Sequence, residues 1–341
     1  MTHLPEPDVN HGHDDLPPVG ASEIRIASVA APFDRDLEAG FARIAVLLHE
    51  ARAKDVDLVV LPEAALGGYV ADLHLESGVE PPPALDPDGP EIARLTALAG
   101  DLVVVAGYCE AGADGQRYNA AVCVGGGEVL GRYRKVHQPL EEGGTYGAGN
   151  SFEAFDTPVG RMGMLICWDK GFAEAGRTLA LDGAEIIACI SAWPASRTAR
   201  AARIIDDRWT HRFDLFDQSR ALDNQLIWVA SNQSGSFGSL DFVGRAKVVG
   251  PGGDILDVTP VEGGMAIATL DIQAELETSR RGMFTLRDRR PDAYRLGPWR
   301  DPAAAPAPVA DDALEDEADG AQEDEAAAVS ATAREAVGVT Q

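Results

Sequence analysis

The chain has 341 residues, 45% of them apolar, which is enough to bury a substantial core. Its formal net charge of −26 runs against a nucleic-acid or anionic-membrane partner, since either favours a basic face. Four cysteines without a Cys-x-x-Cys pair, and no His at zinc-finger spacing, suggest neither a disulfide framework nor structural zinc, and fit a reducing cytoplasm.

In chain order, residues 1–22 are rich in Pro, Asp and His, lack an apolar h-region and read as a disordered leader. EIRIASVA (Glu23–Ala30) alternates like a strand, and Asp36–Ala53 repeats apolar residues at helical spacing. DLVVL (Asp57–Leu61) suits a buried strand, Pro90–Gly100 a helix closed by glycine, and LVVVAG (Leu102–Gly107) another strand. Tyr118–Val124 and Glu128–Tyr133 flank three glycines, which is a hairpin signal. RMGMLIC (Arg161–Cys167) reads as a strand, Glu174–Asp182 as its following helix, and EIIACI (Glu185–Ile190) as the next strand. A long helix is expected over Arg200–Asn224, then strands at Leu226–Ser231, Val243–Gly250 and Met265–Leu270. No linker interrupts residues 23–298, so one domain of mixed α/β type is expected. Residues 299–341 read as a disordered acidic tail, since Asp301–Gln341 carries eleven acidic residues against one base, Arg334, in an Ala/Pro-rich setting. No run approaches membrane-spanning length.

Three polar residues stand at the ends of apolar strands: Glu63 after VVLP, Lys135 closing RYRK, and Cys167 closing MLIC. Singly each has an ordinary reading: a solvated Glu, a surface Lys, a small core Cys. Together they are the parts of one mechanism. A thiol needs a base to become the attacking thiolate, and an ammonium can hold the oxyanion that develops.

These stretches resemble the carbon–nitrogen hydrolase (nitrilase) superfamily. The resemblance is carried by LVVLPEAALGGY (Leu58–Tyr69), YNAAVCV with GEVLGRYRKVH (Tyr118–His137), MGMLICWDKGFAEAGRTLALDGAEII (Met162–Ile187), LIWVASNQ (Leu226–Gln233) and VVGPGGDIL (Val248–Leu256). It implies a four-layer αββα sandwich of two mixed sheets, with Glu63 as general base, Lys135 as oxyanion stabiliser and Cys167 as nucleophile. A second glutamate is expected in PLEEGG, where Glu142 is preferred to Glu141. Tyr69, Tyr146, Trp168 and Trp193 are the expected substrate contacts, with Asp169 and Lys170 as further candidates. His137 and Asn119 are expected to brace the site rather than react. Gly67-Gly68-Tyr69 stands where many members carry Thr-Gly-Tyr, and Phe172-Ala173-Glu174 where amidase-like members read Phe-Pro-Glu.

The resemblance further implies attack of Cys167 on a small linear amide or N-carbamoyl amine, loss of ammonia, and a thioester hydrolysed by water, without metal or organic cofactor. A nitrilase acting on C≡N and a catalytically silent binding or scaffold subunit are the alternatives. Members commonly pair through helices flanking the site, so a homodimer or higher homo-oligomer is expected. Other signals fall away: Gly143–Gly149 lacks the GK[ST] ending of a phosphate loop, Ser234–Gly238 lacks the first glycine of a serine-hydrolase elbow, and His11 and His13 sit in the leader.

Overall fold

The computed structural model describes residues 23–73, 80–140 and 142–297. The leader, the tail and Glu141 lie outside the described residues. Two compact units divide the chain, Met1–Arg289 and Arg290–Gln341. In the second, the described part is a 3-10 turn, Pro291–Ala293, with an Arg290–Asp292 ion pair.

In the first unit the strands are β1 (Ile24–Ala31), β2 (Leu58–Val60), β3 (Val103–Ala111), β4 (Arg117–Gly125), β5 (Glu128–Arg134), β6 (Phe155–Thr157), β7 (Gly160–Ile166), β8 (Ile186–Ile190), β9 (Ile227–Ala230), β10 (Asn232–Gln233), β11 (Ser236–Phe237), β12 (Leu240–Asp241), β13 (Lys247–Val249), β14 (Ile255–Val258) and β15 (Gly264–Leu270). The helices are α1 (Leu37–Ala53), α2 (Pro90–Ala99), α3 (Ala173–Leu181), α4 (Arg208–Asn224) and α5 (Ile272–Arg280). One sheet runs β10-β1-β2-β3-β4-β5 with β15 also on β1, and the other runs β14-β13-β9-β8-β7-β6. Both are mixed: β10, β1, β2 and β3 run parallel, as do β7, β8 and β9, while the β3–β4, β4–β5, β1–β15, β6–β7, β9–β13 and β13–β14 pairs are antiparallel.

The period-2 geometry of the strands assembles four layers. Ile26, Leu58, Val60, Val103 and Val105 join the core shared with the second sheet. Their neighbours Ala27, Val29, Val59, Leu61, Val104 and Ala106 face Phe41, Ile44 and Leu48 of α1 and Ile92 and Leu95 of α2. On the far side, Leu179 of α3 closes over Gly163 so tightly that a Cβ there would sit 2.7 Å from it. The result is an αββα sandwich, as expected. Hydroxyls also bridge the sheets: Ser28 Oγ donates to the Ala230 carbonyl (2.7 Å) and Ser231 Oγ to that of Leu61 (2.8 Å).

The long helix expected from Arg200 begins only at Arg208. Asp207 caps it, its carboxylate accepting from the N–H groups of Trp209, Ser196 and Ala201. That side chain holds residues 196–207 as a loop, a tertiary constraint that periodicity does not carry. Likewise the strand ending in Cys167 stops at Ile166, and Cys167 opens a 3-10 turn, Cys167–Gly171. Among the described residues no helix is long and apolar enough to cross a membrane.

Candidate active site

Glu63 follows β2 at the end of the first sheet and has no exposed surface. The loop that carries it presses against β3: a Cβ on Gly107 would lie 2.4 Å from the Ala64 nitrogen and 2.7 Å from Glu63 Cα. Ala64 adopts φ 56°, a left-handed conformation that costs a non-glycine residue roughly 1–2 kcal/mol. The loop is pinned from behind by Gln233 Nε2, which donates to the Glu63 carbonyl at 2.8 Å. One carboxylate oxygen of Glu63 accepts from the Ala192 N–H, just past β8 in the second sheet.

Lys135 comes one residue after β5 and is fully buried. Its Nζ donates to Glu63 Oε1 (3.0 Å) and to both oxygens of Glu142 (3.0 and 2.8 Å). Asn119 of β4 spans the same two carboxylates, its Nδ2 lying 2.6 Å from Glu63 and 2.7 Å from Glu142. Glu142, in a 3-10 turn over Glu142–Gly144, is also fully buried. Burial works against the Lys135 ammonium, but Glu142 and Glu63 outweigh it and hold its proton on well above the usual lysine range. Burial pushes the Glu142 carboxyl up, with Lys135 pulling the other way.

Cys167 sits where β7 turns into the 3-10 turn, at φ 51° and nearly buried. Burial raises its thiol well above the usual range, and Glu63 adds to this while Lys135 opposes it. The turn is anchored by Asp169, although the sequence suggests it as a further substrate contact. Its carboxylate is instead buried and accepts from Tyr133 OH (2.6 Å), the Ile166 N–H (3.1 Å) and the His137 N–H (3.0 Å), with His137 Nδ1 at 2.8 Å. Asp169 therefore ties the strand leading to Lys135 to the turn that carries Cys167. Lys170 also turns inward, onto Asp217 at 2.6 Å. Of the three residues after Cys167, only Trp168 is partly exposed.

Tyr69 lies with its ring centroid 5.9 Å from Lys135 Nζ, and Tyr146 joins it in an apolar cluster with Ala64, Cys109 and Ala192. Trp168 meets Trp193 and Phe172 at centroid distances of 5.9 and 6.0 Å. The Trp193 indole donates to the Trp209 carbonyl, and its backbone N–H to Asn232 Oδ1 at 2.7 Å. Tyr69 and Tyr146 thus lie on the side of the Lys135 ammonium, while Trp168 and Trp193 belong to an aromatic group at the turn that carries Cys167. Missed from sequence were the carboxylate-bridging role of Asn119, the Ala192 N–H and the anchoring run Ser231-Asn232-Gln233. Three buried polar residues directly after the apolar strand IWVA were the available signal for the last.

Fold and site together define a hydrolase-like α/β sandwich with a buried acid–ammonium–acid cluster beside a thiol. A profile of the carbon–nitrogen hydrolase family matches residues 25–280, and the chain belongs to that family. It is 30% identical over 259 residues to a nitrilase of Pyrococcus abyssi, covering 74% of this chain and 92% of that one. To the N-carbamoylputrescine amidase of Arabidopsis thaliana it is 28% identical over 294 residues, covering 80% and 95%. A carbon–nitrogen hydrolase structure from Helicobacter pylori superposes with a TM-score of 0.69 at 26% identity, covering 80% of this chain and 97% of that one. An amidase of Nesterenkonia shares the fold at 23% identity, with a TM-score of 0.64 and coverage of 80% and 95%.

Proposed function

We propose that this enzyme hydrolyses a small linear amide or N-carbamoyl amine through a thioester on Cys167. The observation that carries this reading is the convergence of Glu63, Glu142 and Asn119 on the Lys135 ammonium, with Cys167 held on a strained turn facing the same charges. Because burial keeps the resting thiol protonated, attack needs a base, and Glu63 is the carboxylate placed to take the proton. Sulfur bonds to the carbonyl carbon while the carbonyl π-electrons move to oxygen, where Lys135 and the Trp168 N–H stabilise the negative charge. Glu63 returns its proton to the departing nitrogen, and ammonia leaves as the C–N bond breaks. Water, deprotonated by Glu63, then adds to the thioester, and the sulfur leaves with the proton restored. Tyr69, Tyr146, Trp168 and Trp193 wall the acyl group.

The 30% identity to a nitrilase keeps C≡N hydrolysis as a second reading, with the same residues and a thioimidate in place of the tetrahedral amide adduct. A panel of amides, carbamoyl amines and nitriles, assayed for ammonia with Cys167→Ala as control, separates them. Amide turnover without nitrile turnover supports the first reading; ammonia release that survives in Cys167→Ala sinks both. Loss of Cys167 with no effect on any activity would leave a binding or scaffold role. The same proposal extends to assembly. Leu181 of α3 and Leu215 and Leu222 of α4 are half or more exposed, and a homodimer through these helices would cover them. Sedimentation at a single-chain mass would refute it.

A further inference from the structure

Two lysines without exposed surface share Asp217, one of them in the Cys167 turn, and the hydrolytic reading gives neither a task. Lys170 belongs to the turn itself, and its Nζ donates to Asp217 Oδ1 on α4 at 2.6 Å. Lys247 on β13 donates to Asp217 Oδ2 at 2.7 Å and lies 3.2 Å from Asp214. The Phe213 ring is 3.7 Å from both ammonium nitrogens, Trp228 Nε1 donates to Asp217 at 2.9 Å, and Arg245 pairs with Asp214 at 2.6 Å. Arg220 Nε fixes the Lys170 carbonyl at 2.9 Å.

Packing alone does not call for this arrangement. Burying an ion is costly, and one lysine with the Trp228 N–H would already satisfy Asp217. Around Asp217 the cluster holds three cations (Lys170, Lys247, Arg245) against two carboxylates (Asp214, Asp217), while the turn's own carboxylate, Asp169, is taken up by Tyr133, His137 and the Ile166 N–H. Across Cys167 stands the opposite imbalance, since Glu63 and Glu142 share only Lys135. Tyr69, also facing Cys167, is kept neutral by burial, and so is Cys189, which faces Lys170 with its thiol pushed up to about 12. When the Sγ proton of Cys167 passes to Glu63, negative charge moves away from the carboxylate side and toward the turn that carries Lys170.

We infer that Lys170, backed by Lys247, is a positioning residue whose fixed positive charge behind the turn stabilises the anionic sulfur of Cys167 and the oxyanion that follows. This rests on the reading of Cys167 as the nucleophile. The electrostatics agree: burial and Glu63 raise the thiol, while Lys135 and Lys170 bring it down. Burial would strip the Lys170 proton, but Asp217 overrides it and keeps the ammonium charged. Burial holds Lys247 below the ordinary lysine value, so it deprotonates before Lys170, and the positive excess fades as pH rises through that step.

The test is the pH dependence of iodoacetamide alkylation at Cys167 in the full chain, followed by mass analysis of the peptide containing it. Lys170→Met is expected to raise the alkylation midpoint by about one pH unit, and Lys170→Arg to leave it within about 0.3. Lys247→Met, a change on a separate strand, is expected to give a smaller upward shift. A Lys170→Met protein with the parent midpoint but a lower plateau rate would reduce Lys170 to packing and overturn the inference. If Lys170→Met does not fold, an unchanged midpoint in Lys247→Met overturns it instead. Failure of the nucleophile reading is separately visible as ammonia release by Cys167→Ala.

Discussion

Glu63 and Glu142 lie on one ammonium and one amide: Lys135 Nζ and Asn119 Nδ2 each reach both carboxylates within 3.0 Å. Two buried carboxylates therefore share a single positive charge, and burial leaves the Glu142 carboxyl raised. Glu63 has a second anchor in the Ala192 N–H. Glu142 is the partner whose charge is poorly supported and whose position fixes Lys135.

Glu142→Gln keeps the shape and the hydrogen-bond acceptor but removes one charge. We expect kcat/KM to fall about a hundredfold, since Lys135 loses the partner that orients it. The stability effect has the opposite sign at neutral pH. A carboxyl raised in the folded state contributes stability below the unfolded value, about pH 4.3, and loses it as pH rises through the raised value. The variant minus parent difference in Tm should therefore increase from pH 4 to pH 8. Melting curves at the two values check this, and a difference that decreases would refute it.

Asp217 shows the reverse case. Burial alone would raise its carboxyl, yet Lys170 and Lys247 hold it below the usual range. Such a group contributes stability above the unfolded value, about pH 3.9, which is lost as pH falls through the depressed folded value. Asp217→Asn takes the carboxylate from the buried Lys170 ammonium and leaves Lys247 with Asp214 alone, and should cost about 3–5 kcal/mol at pH 7. Urea titrations should show the gap from the parent closing as pH falls below the unfolded value and through the depressed folded one; a gap that persists there would place the loss in packing rather than charge.

The three cysteines outside the site should be chemically silent. Cys123 and Cys189 are buried in β4 and β8 and raised by burial to about 12, and Cys109 in β3 to about 11. Burial raises Cys167 as well, but it alone of the four has Glu63 placed to take its proton, so at pH 8 iodoacetamide should modify native protein at Cys167 alone, with all four cysteines reacting in denaturant. Peptide mapping reads this directly, and native labelling of Cys123 or Cys189 would contradict it.

How much of this was legible in the sequence follows from which interactions are local. Alternation placed β1, apolar runs β3 and β8, and the glycine turn β4, because each strand face meets a core layer. Lys135, Glu63 and Cys167 were legible as polar groups ending such runs. The start of α4 was not, because Asp207 is held by the N–H groups of Ser196 and Ala201 as well as by its own helix. The inward turn of Asp169 and Lys170 was equally hidden: their partners Tyr133, His137 and Asp217 lie 30 or more residues away. Two-residue β10 gave no periodic signal, although its Gln233 fixes the loop that carries Glu63.

That loop also depends on an absence of side chain. A Cβ at Gly107 would meet backbone of Ala64 and Glu63 at 2.4–2.9 Å, and backbone on both sides cannot move aside like the end of a flexible chain. The bridge between Leu66 and Tyr108 and the bond from the Leu66 N–H to the Gly107 carbonyl (3.0 Å) hold the two segments at this separation. Gly107→Ala should therefore push Glu63 off Lys135 and Ala192, lowering kcat/KM at least a hundredfold, because a displacement of about 1 Å has that cost at a preorganised site. Gly143→Ala is the matched control. It adds the same methyl beside Glu142, but among the described residues no heavy atom beyond its chain neighbours lies within 4 Å of where that Cβ would be. Activity there should stay within about threefold of the parent, the range expected for a substitution that touches nothing. Parallel kinetics on the two variants decide the matter, and equal losses would mean that close approach at Gly107 is not what positions Glu63.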